Sequence, residues 1–326
     1  MYWMAQMQEC SWAFNLKKKN VKFAKEFYTE FELDVARKSG NLRDNAAMKD
    51  ILGIYRLIAS MARKKSDQEI SKSSHPEVSI SEFRGVRSLH LMSNLSGDTS
   101  CAPIQGSMRM AVPDQIELAY VQQMMMWMLF NENPIHVVQL GLGAAALTKF
   151  CHARFPDARV TAIDLNPNVI EMCRAQFKLP EDDARLQVIA MDALDFVLSP
   201  ARRNTIDILQ VDLYDAEAQG PVLDTPEFYQ ACADCLTEHG MMTVNLFSNA
   251  ENRQKNIAAM QLAFDAVVWL PEVHDANVVA IAFKRSPEID FAVLYQRAAI
   301  IRVNYKLPAP YWVNGLKEWM TPIDED

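Results

Sequence analysis

No stretch of this 326-residue chain approaches the ~18 consecutive apolar residues that a membrane span requires. The first residues, Met1–Phe14, are apolar but have neither a basic start nor a small-residue cleavage site, so a secretory signal is not expected. Six cysteines, at positions 10, 101, 151, 173, 232 and 235, lie too far apart for a disulfide framework in a chain of this length. Cys232 and Cys235 form a single C-x-x-C. With no second pair and no histidine cluster nearby, it reads as helix packing rather than zinc or redox chemistry, and no metal is expected. No internal repeat stands out. A formal charge of -8 argues against a general nucleic-acid binder and is compatible with a cationic substrate. These absences leave a cytoplasmic protein with neither membrane nor nucleic acid among its expected partners.

Half of the residues are hydrophobic and 23% are charged, a balance that buries a proper core. The length suits one large domain with additions, or two domains. Residues 1–75 read as a helical N-terminal extension and linker: Met48, Ile51, Leu52, Tyr55 and Ile58 recur at helical spacing, and Lys64–Glu77 is polar and serine-rich. Residues 76–112 read as a small β domain. Val78–Phe83 and Val86–Leu91 alternate with period two around Arg84-Gly85, and Gln105–Met110 supplies a third strand. Pro113 is expected to open a long helix, Asp114–Phe130, whose methionines fill a core.

Residues 113–326 read as a Rossmann-like catalytic domain. From His136 onward, strands and helices alternate, the signature of an α/β sheet. Helices are expected at Ala145–Arg154, Pro167–Phe177, Ala193–Leu198, Pro226–Leu236 and Asn252–Phe264, with a last one, Phe291–Asn304, before a polar tail. Ala266–Leu270 and Val278–Phe283 leave no room for a helix between them, so they are expected to be antiparallel neighbours. The expected architecture is therefore a methyltransferase-type sheet with a terminal antiparallel hairpin, preceded by the small β domain and the helical extension.

The residues with chemical potential sit where these strands end. His136-Val-Val-Gln-Leu-Gly141-Leu-Gly143-Ala-Ala-Ala146 fits G-x-G-x-x-G/A between a strand and a helix, where glycines let backbone approach a ligand. Asp164 ends the next strand, where a carboxylate accepts both ribose hydroxyls; its alternative role is to cap the helix at Pro167. Asp192 suits an adenine amine, with a cap for Ala193–Leu198 as its alternative. Asp212 and Asp215 form D-x-x-D, a pair in which proximity raises one pKa and which can hold and deprotonate an amine. Carboxylates in this arrangement point to a sulfonium nucleoside such as S-adenosylmethionine or a relative.

With Phe83-Arg-Gly-Val-Arg, Gln105, Glu117-Leu-Ala-Tyr120, Asp164-Leu-Asn-Pro, Asp212-Leu-Tyr-Asp215, Gly220-Pro221 and Glu227-Phe-Tyr-Gln230, the chain resembles the spermidine synthase (polyamine aminopropyltransferase) family from about Val78 to Phe283. The resemblance implies transfer of an aminopropyl group from decarboxylated S-adenosylmethionine, used as a co-substrate without metal, to an amine. It implies that Asp164 holds the ribose and Asp192 the adenine amine. Gln105 and Tyr120 would line the nucleoside and amine channel, Gly141, Gly143 and Asp212 would belong to the donor site, and Asp215 would accept the amine proton. Relatives often form dimers, which extends to this chain as an expectation of self-association. Three departures stand out: Gly143-Ala-Ala-Ala146 lacks the family's acid, Ile116 and Gln122 replace acids, and Pro271–Asn277 replaces a tyrosine-containing segment. A small-molecule methyltransferase using ordinary S-adenosylmethionine and a non-catalytic nucleoside-binding paralogue remain alternatives, and a nicotinamide dehydrogenase fits the D-x-x-D loop and terminal hairpin poorly.

Overall fold

The computed structural model describes residues 76–91, 103–215, 220–247, 250–272 and 277–320. The helical reading of residues 1–75 lies outside them, as do residues 273–276 of the Pro271–Asn277 segment. Three strands, β1 (Val78–Phe83), β2 (Val86–Leu91) and β3 (Ile104–Arg109), form an antiparallel sheet in the order β1-β2-β3. The Arg84-Gly85 turn takes positive φ at both residues, as a two-residue hairpin matched to strand twist requires.

A second sheet has seven strands in the order β6-β5-β4-β7-β8-β10-β9. These are β4 (His136–Leu140), β5 (Arg159–Asp164), β6 (Leu186–Ala190), β7 (Ile206–Val211), β8 (Leu236–Asn245), β9 (Ala266–Trp269) and β10 (Val279–Phe283). The first five in this order are parallel, and β10 runs antiparallel to both β8 and β9. The terminal hairpin expected from the short spacing is present. Side-chain alternation divides the core between the sheet's faces: Val137 and Ile208 pack on one, Val138, Leu140, Leu209 and Val211 on the other.

Among the described residues, helices cover both faces: α1 (Ala119–Gln123), α2 (Ala146–Arg154), α3 (Pro167–Gln176), α4 (Ala193–Leu198), α5 (Pro226–Cys235), α6 (Ala250–Gln261), α7 (Phe291–Tyr305) and α8 (Ala309–Met320). Their starts follow local chemistry. Asn166 and Thr225 each cap a helix opened by proline, accepting from the Asn168 and Phe228 backbone N–H groups. Cys232 and Cys235 are buried free thiols on α5.

Two expectations fail. Asp114–Phe130 is not one helix but the short α1 followed by a 3₁₀ turn at Met126–Leu129. The break comes from the sheet: Gln210 Nε2 on β7 and Thr243 Oγ1 on β8 both donate to the Met124 carbonyl at 3.1 Å. That carbonyl is thereby occupied outside the helical ladder, while all four methionines remain buried. After α7 the chain does not become a polar tail. It forms α8, which buries Trp312, Val313 and Leu316.

Candidate active site

In an open α/β sheet, ligands bind outside the carboxyl ends of strands where the strand order reverses. Here that place lies between β4 and β7, the first pair flanked by crossovers in opposite directions. A cavity of about 710 Å³ opens there. Gln105, Gly141, Gly143, Asp164 and Asp192 line it, as do Tyr120, Asp212 and Asp215. All the residues singled out from the sequence therefore meet in one cleft.

The glycine turn closes tightly on its neighbours. Gly141 has φ +93°, and a Cβ there would lie 2.0 Å from the Asp212 carbonyl oxygen at the end of β7. Gly143 has φ +51°, and its Cβ would come 2.8 Å from the Gln105 carbonyl oxygen on β3. Both conformation and space thus demand glycine. Asp164 is fastened to the same turn: its Oδ2 accepts from Leu142 N at 3.0 Å and its Oδ1 from Asn166 N at 2.8 Å. Asn166, not Asp164, caps α3. Asp192 does cap α4, its Oδ1 accepting from Leu194 N at 2.7 Å and Asp195 N at 3.3 Å, and the same residue borders the cavity.

Across the cleft, Tyr120 OH donates to Asp212 Oδ2 at 3.3 Å, and Asn245 Nδ2 donates to Oδ1 at 2.9 Å. Part of Asp212 faces the cavity, yet protein atoms crowd it, and this desolvation pushes its pKa up to about 6 despite the two donors. The sequence pattern led us to expect one raised pKa from carboxylate proximity; burial supplies it instead. Asp215 lines the same cavity, and Gln105 Nε2 donates to its backbone carbonyl at 3.1 Å.

Sequence reasoning missed Asn245 and Tyr214. Asn245 ends β8 and orients Asp212; Tyr214 OH donates to the Asn245 carbonyl and accepts from Phe247 N, each at 2.7 Å. Extending the strand-end rule from acids to amides would have found Asn245.

The strand order, the terminal hairpin and the cleft at the switch point define a Rossmann-like protein of the methyltransferase type. Residues 120–291 match the spermine/spermidine synthase domain. A polyamine aminopropyltransferase of Chromobacterium violaceum is 33% identical over 245 residues, covering 74% of this chain and 90% of that protein. One from Neisseria meningitidis serogroup A is 34% identical over 250 residues, covering 76% and 91%. The chain belongs to the spermine/spermidine synthase family. In fold it is similar to a probable spermidine synthase from Corynebacterium glutamicum, with a TM-score of 0.57 at 13% identity over 76% of this chain and 93% of that one. A partial similarity, 27% over 127 residues, links it to the eEF1A lysine and N-terminal methyltransferase of Bos taurus, covering 36% of this chain and 18% of that protein.

Proposed function

We propose that this chain is a polyamine aminopropyltransferase that moves an aminopropyl group from decarboxylated S-adenosylmethionine to a small amine. The observation that carries this reading is Asp212. It is a desolvated carboxylate with pKa about 6, and it faces a cavity whose other side holds Asp164 and Asp192. Asp164 takes the ribose hydroxyls and Asp192 the adenine amine, while Gln105, Gly141 and Gly143 shape the donor pocket.

An alkylamine has a pKa near that of lysine, about 10, so it arrives protonated and not nucleophilic. A carboxylate must hold the ammonium and take its proton. The nitrogen lone pair then forms a bond to the carbon beside sulfur as the C–S bond breaks. Its electrons return to sulfur, which leaves as the neutral thioether methylthioadenosine. In-line positioning supplies most of the remaining advantage. The family resemblance implied Asp215 as the proton acceptor. We assign removal of the proton to Asp212, whose raised pKa suits an acceptor, with Tyr120 and Asn245 orienting both of its oxygens. Asp215, which lines the same cavity, binds the ammonium.

A second reading, methyl transfer from ordinary S-adenosylmethionine, is favoured by Ala144–Ala146, whose lack of an acid fits a donor that keeps its own carboxylate, and by the partial methyltransferase similarity. Incubation with each donor and a panel of mono- and diamines, reading product masses, separates the two. Aminopropyl adducts with the decarboxylated donor are expected. Methylated products alone would overturn the assignment, and absence of any product would leave a nucleoside-binding protein. The reading describes an enzyme of the cytoplasm that acts on a free amine.

A further inference from the structure

Loops carry the functional groups of a scaffold and are also its most mobile parts. The loop that holds both acids of the amine site, residues 212–215, therefore needs fastening. Asp212 follows β7 and Asn245 ends β8, and the two strands are parallel neighbours that deliver these residues to one rim. Backbone bonds hold the loop at its start, where Asp212 N donates to the Leu140 carbonyl at 2.9 Å, and again where Val222 N donates to the Leu213 carbonyl at 3.1 Å. Tyr214 adds a side-chain tie. Its hydroxyl donates to the Asn245 carbonyl and accepts from Phe247 N, each at 2.7 Å. The ring stands edge-on to Phe247, with centroids 6.3 Å apart. Gly220 packs so closely against it that a Cβ there would lie 2.7 Å from ring Cδ1.

These contacts close a ring that begins and ends on Asp212. Its carboxylate accepts from Asn245 Nδ2 at 2.9 Å, the Asn245 carbonyl accepts from Tyr214, and Tyr214 returns along the main chain to Asp212. The next residue is Asp215, whose carbonyl Gln105 holds. A phenol has one proton to give, and here it goes to backbone. Burial, followed by the charge of Asp212, pushes the Tyr214 pKa upward, so the hydroxyl stays a neutral donor. Ring packing alone would anchor the loop. The hydroxyl adds direction, because a loop pinned to the end of β8 cannot turn its acids independently of Asn245.

We propose that Tyr214 is a positioning residue for aminopropyl transfer, its hydroxyl setting the orientation of Asp212 and Asp215 toward the amine. This role rests on the reading of the chain as an aminopropyltransferase with Asp212 as proton acceptor. Steady-state kinetics of Tyr214→Phe test it, with decarboxylated S-adenosylmethionine and the fastest acceptor among putrescine, cadaverine and butylamine. Turnover should fall about tenfold to a hundredfold, the scale on which a misplaced group slows a positioned reaction. Methylthioadenosine affinity, read by calorimetry, should stay at the wild-type value. The acid limb of kcat should move above pH 6, because Asp212 loses part of the Asn245 bond that favours its charged form. In an Asp212→Asn background the same change should cost little more, since residues acting as one unit are not additive. That cycle is read below the melting temperature of every variant, so a loss of stability in Tyr214→Phe does not mask it. Undiminished turnover in Tyr214→Phe overturns the proposal, as does an unmoved acid limb or a pair of losses that simply add. A wild-type protein that forms no aminopropyl product overturns the transfer reading itself, and the role of Tyr214 with it.

Discussion

The two ends of the parallel sheet carry equally polar residues in opposite conditions. At the amino ends of the strands, Asp207 accepts from the Ile135 and His136 backbone N–H groups and from Thr237 Oγ1. His136 sits within reach of Thr161 Oγ1, Arg159 and the Thr205 carbonyl. Burial, followed by the neighbouring Arg159 charge, lowers the His136 pKa from 6.5 to about 4. That end is a closed knot locked in one protonation state at neutral pH. At the carboxyl ends, Asp212 carries a pKa of about 6 beside open space. The same burial thus silences a base at one end and poises an acid for proton exchange at the other, and it is the second that lines the cavity at the switch point. Polarity alone does not mark a site; desolvation beside room for a ligand does.

The sharpest way to break this contrast is at Asp212. Asp212→Asn is nearly isosteric and should lower kcat by about 10²–10⁴-fold, the usual worth of a general base. Asp215→Asn should act mainly on KM for the amine. Wild-type kcat should fall as pH drops through about 6, where Asp212 becomes protonated. Steady-state kinetics of both variants across pH reads all three effects. Full turnover in Asp212→Asn would reduce the carboxylate to a structural role.

The opposite end predicts a stability effect. A histidine whose folded pKa is depressed binds fewer protons folded than unfolded, so its contribution is complete above pH 6.5 and is lost as pH falls toward about 4. The loss approaches about 3 kcal/mol. Urea melts of the wild-type protein and His136→Asn between these limits should converge as the solution becomes more acidic. Equal slopes in the two proteins would show that the knot does not titrate.

The smallest effect belongs to Asp192, which serves both a helix and the cleft. Asp192→Ala should cost about 1 kcal/mol as a lost cap and should also weaken nucleoside binding. Calorimetry with methylthioadenosine, beside a thermal melt, separates the two contributions. Unchanged affinity would leave Asp192 a cap alone.

The strand ends were readable because buried parallel strands are continuous apolar runs whose first polar residue marks the exit; Asp164, Asp192 and Asp212 all lie at or just past such ends. The antiparallel hairpin followed from chain length alone. What could not be read came from residues distant in sequence. The helical periodicity through the methionine run is genuine, and the Gln210 and Thr243 donors that interrupt it lie 86 and 119 positions from Met124. Asp212's desolvation likewise depends on the packing of several elements around it, so its sequence spacing to Asp215 suggested the wrong cause. α8 was obscured by Pro308 and Pro310, though Trp312, Val313 and Leu316 carried its signal.

The close approach of β3 to the glycine turn limits what the turn can carry. A Cβ on Gly106 would lie 2.5 Å from Ala144 N, and Ala144 and Ala145 are 2% and 0% exposed. The two segments are thus fitted to each other like the halves of a clasp, and neither can gain a side chain without prising the other away. An aspartate at Ala144 would need β3 and the turn to part, so the turn itself serves a ligand through its backbone, and side-chain recognition falls to the rest of the cleft.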